Sequence, residues 1–384
     1  MNERTREDPW SVTARELREH MRTLREDSDS AVVVTVADVE GSAYRRPGAK
    51  MLVGGDGEPV GAVTAGCLED PVTELSLDVL SAGKSRVEVF DLMDNDDDTW
   101  GLGLGCNGII DVLLEPLDAS WDRPLELLAA GEAVTVLTVV DSDDRSVAVG
   151  DRTLVRADGE AETVPDREPV PAHVREATGE AVAAVRDRGK ATTVDVPTDD
   201  GTVTVLVDGL APVSRLLLFG SQRDIHPVSR LAATVGFEVA VHSPRGARDA
   251  DAFPDANRVE TGHPSTLADS VAVPSDTYAV VMSHNLVDDQ IAVETLLEET
   301  AVPYIGLMGP RDRFEEVREA SDVIAGDALD RIATPVGLDL GGGEPIEIAF
   351  SIVSEVLAVS NDRDGGRLKS KKGPIHSRVS GPAE

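Results

Sequence analysis

Gly48-Ala-Lys-Met-Leu-Val-Gly-Gly-Asp-Gly-Glu58 and Gly150-Asp-Arg-Thr-Leu-Val-Arg-Ala-Asp-Gly-Glu160 are one pattern written twice, about 102 residues apart. Each begins at a glycine, runs through apolar residues and turns at Asp-Gly, the pair of residues best suited to a tight hairpin. Each is also preceded by a strand-like apolar run, Val32 to Asp38 (VVVTVAD) before the first and Val134 to Val140 (VTVLTVV) before the second.

The likeness continues outward with a shifting offset. Gly83-Lys84 before VEVFDL matches Gly189-Lys190 before TTVDV, and Gly108-IIDVLLEPL matches Gly201-TVTVLVDGL. The pattern predicts two related β-rich halves, about 24–118 and 124–213, within an N-terminal α+β domain over 1–213. The halves differ where chemistry would sit. The first has Gly41-Ser-Ala-Tyr-Arg-Arg-Pro and Ala65-Gly-Cys-Leu-Glu, and the second has neither. A site in this domain therefore belongs to the first half, with the second as scaffold.

Beyond residue 213 the rhythm changes. Arg215-LLLFG reads as a strand, Pro227 to Val235 as a helix closed by Gly236, and Phe237-EVAVHS as a strand. Tyr278-AVVMSHN, a helical Asp289-QIAVETLLEE, Pro303-YIGLMG and Arg311-DRFEEVREAS follow. Strand and helix in alternation predict a parallel sheet flanked by helices, a Rossmann-like domain over 214–360, so the fold class is α/β. The last helix opens at Pro345, a residue suited to a first helical position. Ile346, Ala349, Phe350, Val353 and Leu357 recur along it at helical spacing, as an apolar stripe does. Residues 361–384, rich in Gly, Ser and Lys, are expected to be a disordered tail.

Of 384 residues, 71 are acidic and 36 basic, a net charge of −35. Such a field repels nucleic acid and anionic membranes. Dense salt would relieve the self-repulsion, since the Debye length falls to about 3 Å at 1 M, and a halophilic source is the expectation. Cys67 and Cys106 are the two cysteines, too few for a disulfide framework. The start MNERTREDPW lacks the apolar run of a signal peptide, and no apolar stretch reaches membrane-spanning length. The expected location is the cytoplasm.

Four segments could carry chemistry. In the loop Gly41 to Met51, Arg45, Arg46 and Lys50 crowd into six residues of a very acidic chain. Guanidinium forks with exposed amides suit a phosphate, though the same arginines could pair with nearby carboxylates. In Thr64-Ala-Gly-Cys-Leu-Glu-Asp, Gly66 lets backbone approach a ligand, and Cys67 leads into an apparent helix from Pro71 to Leu80. A helix N-terminus favours a thiolate, which binds soft metals or carries sulfur; the alternative is an inert buried cysteine. In Gly101-Leu-Gly-Leu-Gly-Cys-Asn-Gly108, glycines including Gly105 surround Cys106 before a strand. The fourth, Phe219-Gly-Ser-Gln-Arg-Asp-Ile-His-Pro, stands where a dinucleotide fingerprint would be. Only Gly220 fits it, with Gln222 at the second glycine position, and the next strand ends in Ser243 rather than an acid. NAD(P) is thus disfavoured. A mononucleotide or pterin phosphate at the helix start and a purely structural domain both stay open. His284, in Met282-Ser-His-Asn, and Arg311, in Gly309-Pro-Arg-Asp-Arg, follow strands of the same sheet.

Taken in order, GSAYRRPGAKM (41–51), AGCLED (65–70), GLGLGCNG with its strand (101–116), LFGSQRDIHP (218–227), MSHN (282–285), YIGLMGPRDR (304–313) and TPVGLDLGGGEPIEIAFSIVSEVLAV (334–359) resemble the XdhC/CoxI family of xanthine dehydrogenase accessory proteins. The resemblance implies an N-terminal family domain and a C-terminal Rossmann domain. It implies a carrier of molybdenum cofactor (molybdopterin), without catalytic residues of its own, that hands the cofactor to the large subunit of a molybdo-hydroxylase of the xanthine dehydrogenase, aldehyde oxidase or CO dehydrogenase type. It also implies a cysteine desulfurase as a partner in sulfuration. A homodimer is a candidate assembly, although the sequence does not set the oligomeric state. Carried over by motif, Arg45, Arg46, Cys67, Glu69 and Cys106 are the candidate site residues, with both sulfurs toward the molybdenum. The sequence departs from the family's usual glycine at Gln222, aspartate at Ser243 and glycine at Asn107. The competing reading from the residues alone is an NAD(P)-dependent oxidoreductase.

Overall fold

In the computed structural model, residues 8–92, 108–186, 189–244 and 250–372 are described. The chain forms two compact units that divide between Pro212 and Val213.

The first unit holds two five-stranded antiparallel sheets of the same strand order. One comprises β1 (Ala31–Gly41), β2 (Lys50–Gly54), β3 (Pro59–Gly61), β4 (Arg86–Asp91) and β5 (Gly108–Pro116), in the order β3-β2-β1-β5-β4. The other comprises β6 (Val134–Ser142), β7 (Arg152–Arg156), β8 (Ala161–Thr163), β9 (Ala191–Thr198) and β10 (Gly201–Leu210), in the order β8-β7-β6-β10-β9. The registers coincide in detail. Thr35 faces Lys50 in the first sheet and Thr138 faces Arg152 in the second. Both central strands are interrupted at matching places, Ala37 in β1 and Val140 in β6, where the pairing shifts by one residue. A bulge of this kind bends a strand and raises its twist.

Side-chain alternation sorts each central strand between two layers. Val32, Val34 and Val36 of β1 enter a core with Val72 and Val79 of the helix Glu69–Ala82 (α2), which covers one face. Ala31 and Val33 point the other way, into a core shared with Val134, Val136 and Leu154 of the second sheet. The helices Ala14–Asp27 (α1) and Asp122–Ala129 (α3) complete that shared core. Burial on both faces explains why VVVTVA carries no charge and a single polar residue, the buried Thr35. Thr13 and Glu16 close a capping box at the start of α1, satisfying two amides that the first turn leaves unpaired. The short helices Ala172–Ala177 (α4) and Gly179–Val185 (α5) cover the second sheet as α2 covers the first.

The second unit is built on a six-stranded parallel sheet of β11 (Arg215–Phe219), β12 (Glu238–Ser243), β13 (Arg258–Thr261), β14 (Thr277–Val281), β15 (Tyr304–Leu307) and β16 (Ile332–Ala333). Its order, β13-β12-β11-β14-β15-β16, is the Rossmann order, with the switch between β11 and β14. Leu216 and Leu218 of β11 pack on one face with the helices Ile225–Thr234 (α6) and Pro345–Ser360 (α9). Leu217 and Phe219 pack on the other with the helices Leu286–Glu299 (α7) and Arg311–Glu319 (α8).

Three expectations change in detail. The helix after Cys67 begins at Glu69, not Pro71, and the first helix of the second unit begins at Ile225, not Pro227. The stripe on α9 splits. Ala349 and Val353 are buried with Ile352 and Val356, whereas Ile346, Phe350 and Leu357 are exposed, Phe350 at 57%. The stripe is wider than the face the sheet can cover. Past Ser360 the described residues are exposed, with a 3₁₀ turn at Leu368–Ser370, and residues 373–384 lie outside the described residues.

Candidate functional site

In the first unit, the turn between β3 and α2 is held by Glu69. Its buried carboxylate accepts from the Thr64 amide (2.9 Å), the Thr64 hydroxyl (2.6 Å) and the Leu68 amide (3.1 Å). The Thr64 oxygen in turn accepts from the amides of Gly66, Cys67 and Leu68 at 3.2–3.3 Å. This network fixes Ala65-Gly66-Cys67 as a rigid arch. Gly66 has φ +105°, with nothing within 4 Å of a built Cβ, so the backbone conformation rather than crowding requires glycine there. Cys67 is half-buried and a free thiol.

The basic loop lies against the same cluster of side chains as the arch. Ala43, Ala49 and Cys67 all pack on the core that contains Val36, Val63 and Leu68. Tyr44, Arg45 and Arg46 are exposed. Arg45 also borders a cavity of about 150 Å³ with Trp10, Arg18, Lys50, Trp121 and Asp208. Gly48 has φ +88°, and a Cβ there would meet Ala191 Cβ at 3.0 Å and Asp208 Oδ1 at 3.3 Å. The loop therefore presses directly on the second sheet.

Lys50 is committed to that contact. Its Nζ donates to Asp208 Oδ2 at 2.5 Å, with the two side chains 10% and 6% exposed. A second pair mirrors it: Arg152, which takes the place of Lys50 in the second sheet, donates to Glu115, which takes the place of Asp208 in the first. Arg152 also donates to Ser120 Oγ (2.9 Å) and Thr138 Oγ1 (3.2 Å). Both cations lie over the ring of Trp121, at 5.9 Å for Lys50 and 4.8 Å for Arg152. The halves thus exchange one ion pair each way around a shared tryptophan. The sequence reading offered Lys50 to a ligand; the signal for its structural partner was present in the aligned Glu115 and Asp208 of the repeat. Gly105 and Cys106 lie outside the described residues.

In the second unit, a cavity of about 380 Å³ opens where β11, β14 and β15 end. Its apolar walls are Val228, Met282, Met308, Ile348, Ala349 and Ile352; Gln222, Asp224 and His284 supply polar groups. Gly220 follows β11 at the switch point, and a Cβ there would stand 2.7 Å from the Met282 carbonyl oxygen. That glycine serves the close approach of two strands. His284 has φ +60°, rare for a residue with a side chain, and its Nε2 meets Asp224 Oδ2 at 2.5 Å. The flanking residues hold it there. Ser283 bonds through its hydroxyl to the buried Asp289, which Arg313 pairs at 2.5 Å, and Asn285 caps α7 through the amides of Val287 and Asp288. Arg311 is exposed at the start of α8 and does not line the cavity. Asp224 was not singled out from the sequence. It sits at the start of α6, where a carboxylate opposes the pyrophosphate that a dinucleotide would place there.

Two family models match the chain, one described as the XdhC and CoxI family over residues 24–91, the other as the XdhC Rossmann domain over residues 216–356. The chain belongs to the XdhC/CoxI family. The first match covers the basic loop and the Cys67 arch, and the second covers the whole cavity of the second unit. A family relative from Bacillus subtilis (strain 168), named as a probable xanthine dehydrogenase subunit, is 29% identical over 87% of this chain and 94% of its own length. Molybdenum cofactor insertion chaperone PaoD of Escherichia coli (strain K12) is 22% identical over 86% of this chain and 83% of its own. A crystal structure described as a xanthine dehydrogenase from Bacillus halodurans superposes with a TM-score of 0.71 at 29% identity, covering 90% of this chain and 96% of that one. No helix among the described residues is long and apolar enough to cross a membrane, and no cluster of three metal-ligating side chains occurs among them.

Proposed function

We propose that this protein is an accessory factor that binds molybdenum cofactor and delivers it to the large subunit of a molybdo-hydroxylase of the xanthine dehydrogenase type. The observation that carries the reading is the basic loop and the Cys67 arch packed on one cluster in the first unit. Two exposed guanidinium groups suit the terminal phosphate of the cofactor, and a thiol on a rigid arch offers a soft donor to its molybdenum. Cys106, in the second glycine-rich segment of the same half, would supply a second sulfur. Similarity to a relative named as a molybdenum cofactor insertion chaperone supports the same role. In this reading the protein acts as a carrier, and a cysteine desulfurase is the natural source of sulfur for the cargo.

The test is metal and pterin analysis of protein purified from a molybdate-grown host, then transfer to the hydroxylase apoenzyme. Near-stoichiometric molybdenum and pterin are expected, with loss in Cys67→Ala and in Arg45→Ala/Arg46→Ala. Full retention of cofactor in all these variants would remove the first unit from the carrier site.

A further inference from the structure

The helix α1 carries a cation on the side that packs inward. Ala14, Leu17, Arg18 and Met21 recur at helical spacing, so they share a face. All four border the cavity of about 150 Å³ in the first unit, and Leu17 and Met21 are buried. One bond accounts for Arg18: its Nη1 donates to the Ala211 carbonyl at 2.7 Å. Its Nε and Nη2 have no partner among the described residues, and neither is sealed off in the interior. Asp208 attracts the guanidinium without pairing with it, and burial still lowers the pKa of Arg18. A cation drawn out of water with no counter-charge in contact is costly. An anion entering the cavity would relieve that cost.

The rest of the wall limits the kind of anion. Lys50 and Asp208 neutralise each other. Arg45 also borders the cavity and has no hydrogen bond or ion pair among the described residues, but it is exposed, and water and salt screen it. One poorly screened positive charge remains, and a monoanion matches it. A phosphate dianion fits worse. Its desolvation cost grows with the square of the charge, and Asp208 would repel it twice as strongly. Val12, Leu17, Met21, Leu125 and Leu128 offer no polar group to the remainder of a ligand, so that remainder must be apolar. A dry cavity of about 150 Å³ in an unrelated protein takes up one benzene molecule.

We propose that this cavity binds a small monocarboxylate whose apolar body is about the size of a benzene ring, with the carboxylate on Arg18 and with Arg45 at the mouth. The site lies wholly within the first unit. It rests on its own lining and shares only Arg45 with the carrier reading.

The test titrates the full chain with benzoate, benzamide and inorganic phosphate, following heat and tryptophan fluorescence, since Trp10 and Trp121 line the cavity. Saturable benzoate binding is expected, about tenfold or more tighter than that of benzamide, which has the same shape and no charge to pair. Arg18→Leu should weaken benzoate about tenfold or more, and Arg18→Lys should recover part of the loss. Ala14→Phe, which fills the cavity from an exposed position, should abolish binding. Phosphate binding in place of benzoate overturns the ligand class. Failure of the parent to bind benzoate, equal affinity for benzamide, or unchanged affinity in Arg18→Leu and Ala14→Phe overturns the site. Molybdenum and pterin content separates this proposal from the carrier role. Arg18→Leu should keep both, and their loss together with benzoate would make the cavity part of the cargo site and overturn the proposal. Failure of benzoate, with cargo still carried and lost in Cys67→Ala, refutes the cavity assignment and leaves the carrier role standing. Benzoate binding by a protein that carries no molybdenum does the reverse.

Discussion

Lys50→Met separates a structural role for this residue from a ligand role. The substitution keeps the length of the side chain and removes its charge, leaving Asp208, 6% exposed, without its partner. Breaking a buried pair from one side costs about 3–5 kcal/mol. Arg18 also attracts Asp208, although burial is the larger influence on that arginine and lowers its pKa. The residual attraction places the expected loss near the lower end, about 3 kcal/mol. For a unit of this size that is a fall in Tm of roughly 6–12 °C. Tryptophan fluorescence reads the first unit alone, because Trp10, Trp100 and Trp121 all precede residue 213. The loss should change little between dilute and molar salt, since a buried pair is poorly screened. Adding Asp208→Leu should recover most of it, because an apolar pair of similar volume can replace a buried ion pair. An unaltered transition in Lys50→Met, together with weaker cofactor retention, would refute this account and return Lys50 to the ligand.

Three further outcomes follow from the geometry. Glu69→Gln puts an amide where three donors converge and should loosen the arch by about 1–3 kcal/mol; in a Cys106→Ser background, the rate at which Cys67 reacts with an aromatic disulfide should rise. Gly220→Ala drives a methyl group to 2.7 Å from the Met282 carbonyl and should destabilise the second unit by about 1–3 kcal/mol, visible by calorimetry as movement of one transition only. Burial lowers the pKa of His242, outweighing the opposing pull of the Gly262 backbone and of Glu260 and Asp269. Folded His242 therefore stays neutral while the unfolded chain takes up a proton below about pH 6.5, so stability falls as the pH drops through that value. Denaturant titrations at pH 7.5 and 5.5 should show a smaller acid loss in His242→Gln than in the parent.

The alternation of strand and helix after residue 213 was legible because each segment buries its own side chains in a local pattern. Leu216 to Phe219 need no knowledge of their neighbours to read as a buried strand. The pairing of Gly48–Glu58 with Gly150–Glu160 was legible for a similar reason, since Asp-Gly turns and apolar runs are short-range signals. Cys67 and Arg45 were legible as residue types in suggestive loops. The roles of Lys50 and Asp224 were not. Lys50 and Asp208 are separated by 158 positions, and no local pattern says that a lysine in a basic loop is already paired.

By itself, then, the amino-acid sequence determined the secondary elements, their layering and the loops rich in glycine, arginine and sulfur, because helix and strand periods are set within a few residues. Only the tertiary structure decided that Lys50 pairs with Asp208 and Asp224 with His284. Partner choice depends on which groups the packing of distant strands brings within about 3 Å, and that distance is decided by the shared core between the sheets of the first unit and by the parallel pairing of β11 with β14 in the second.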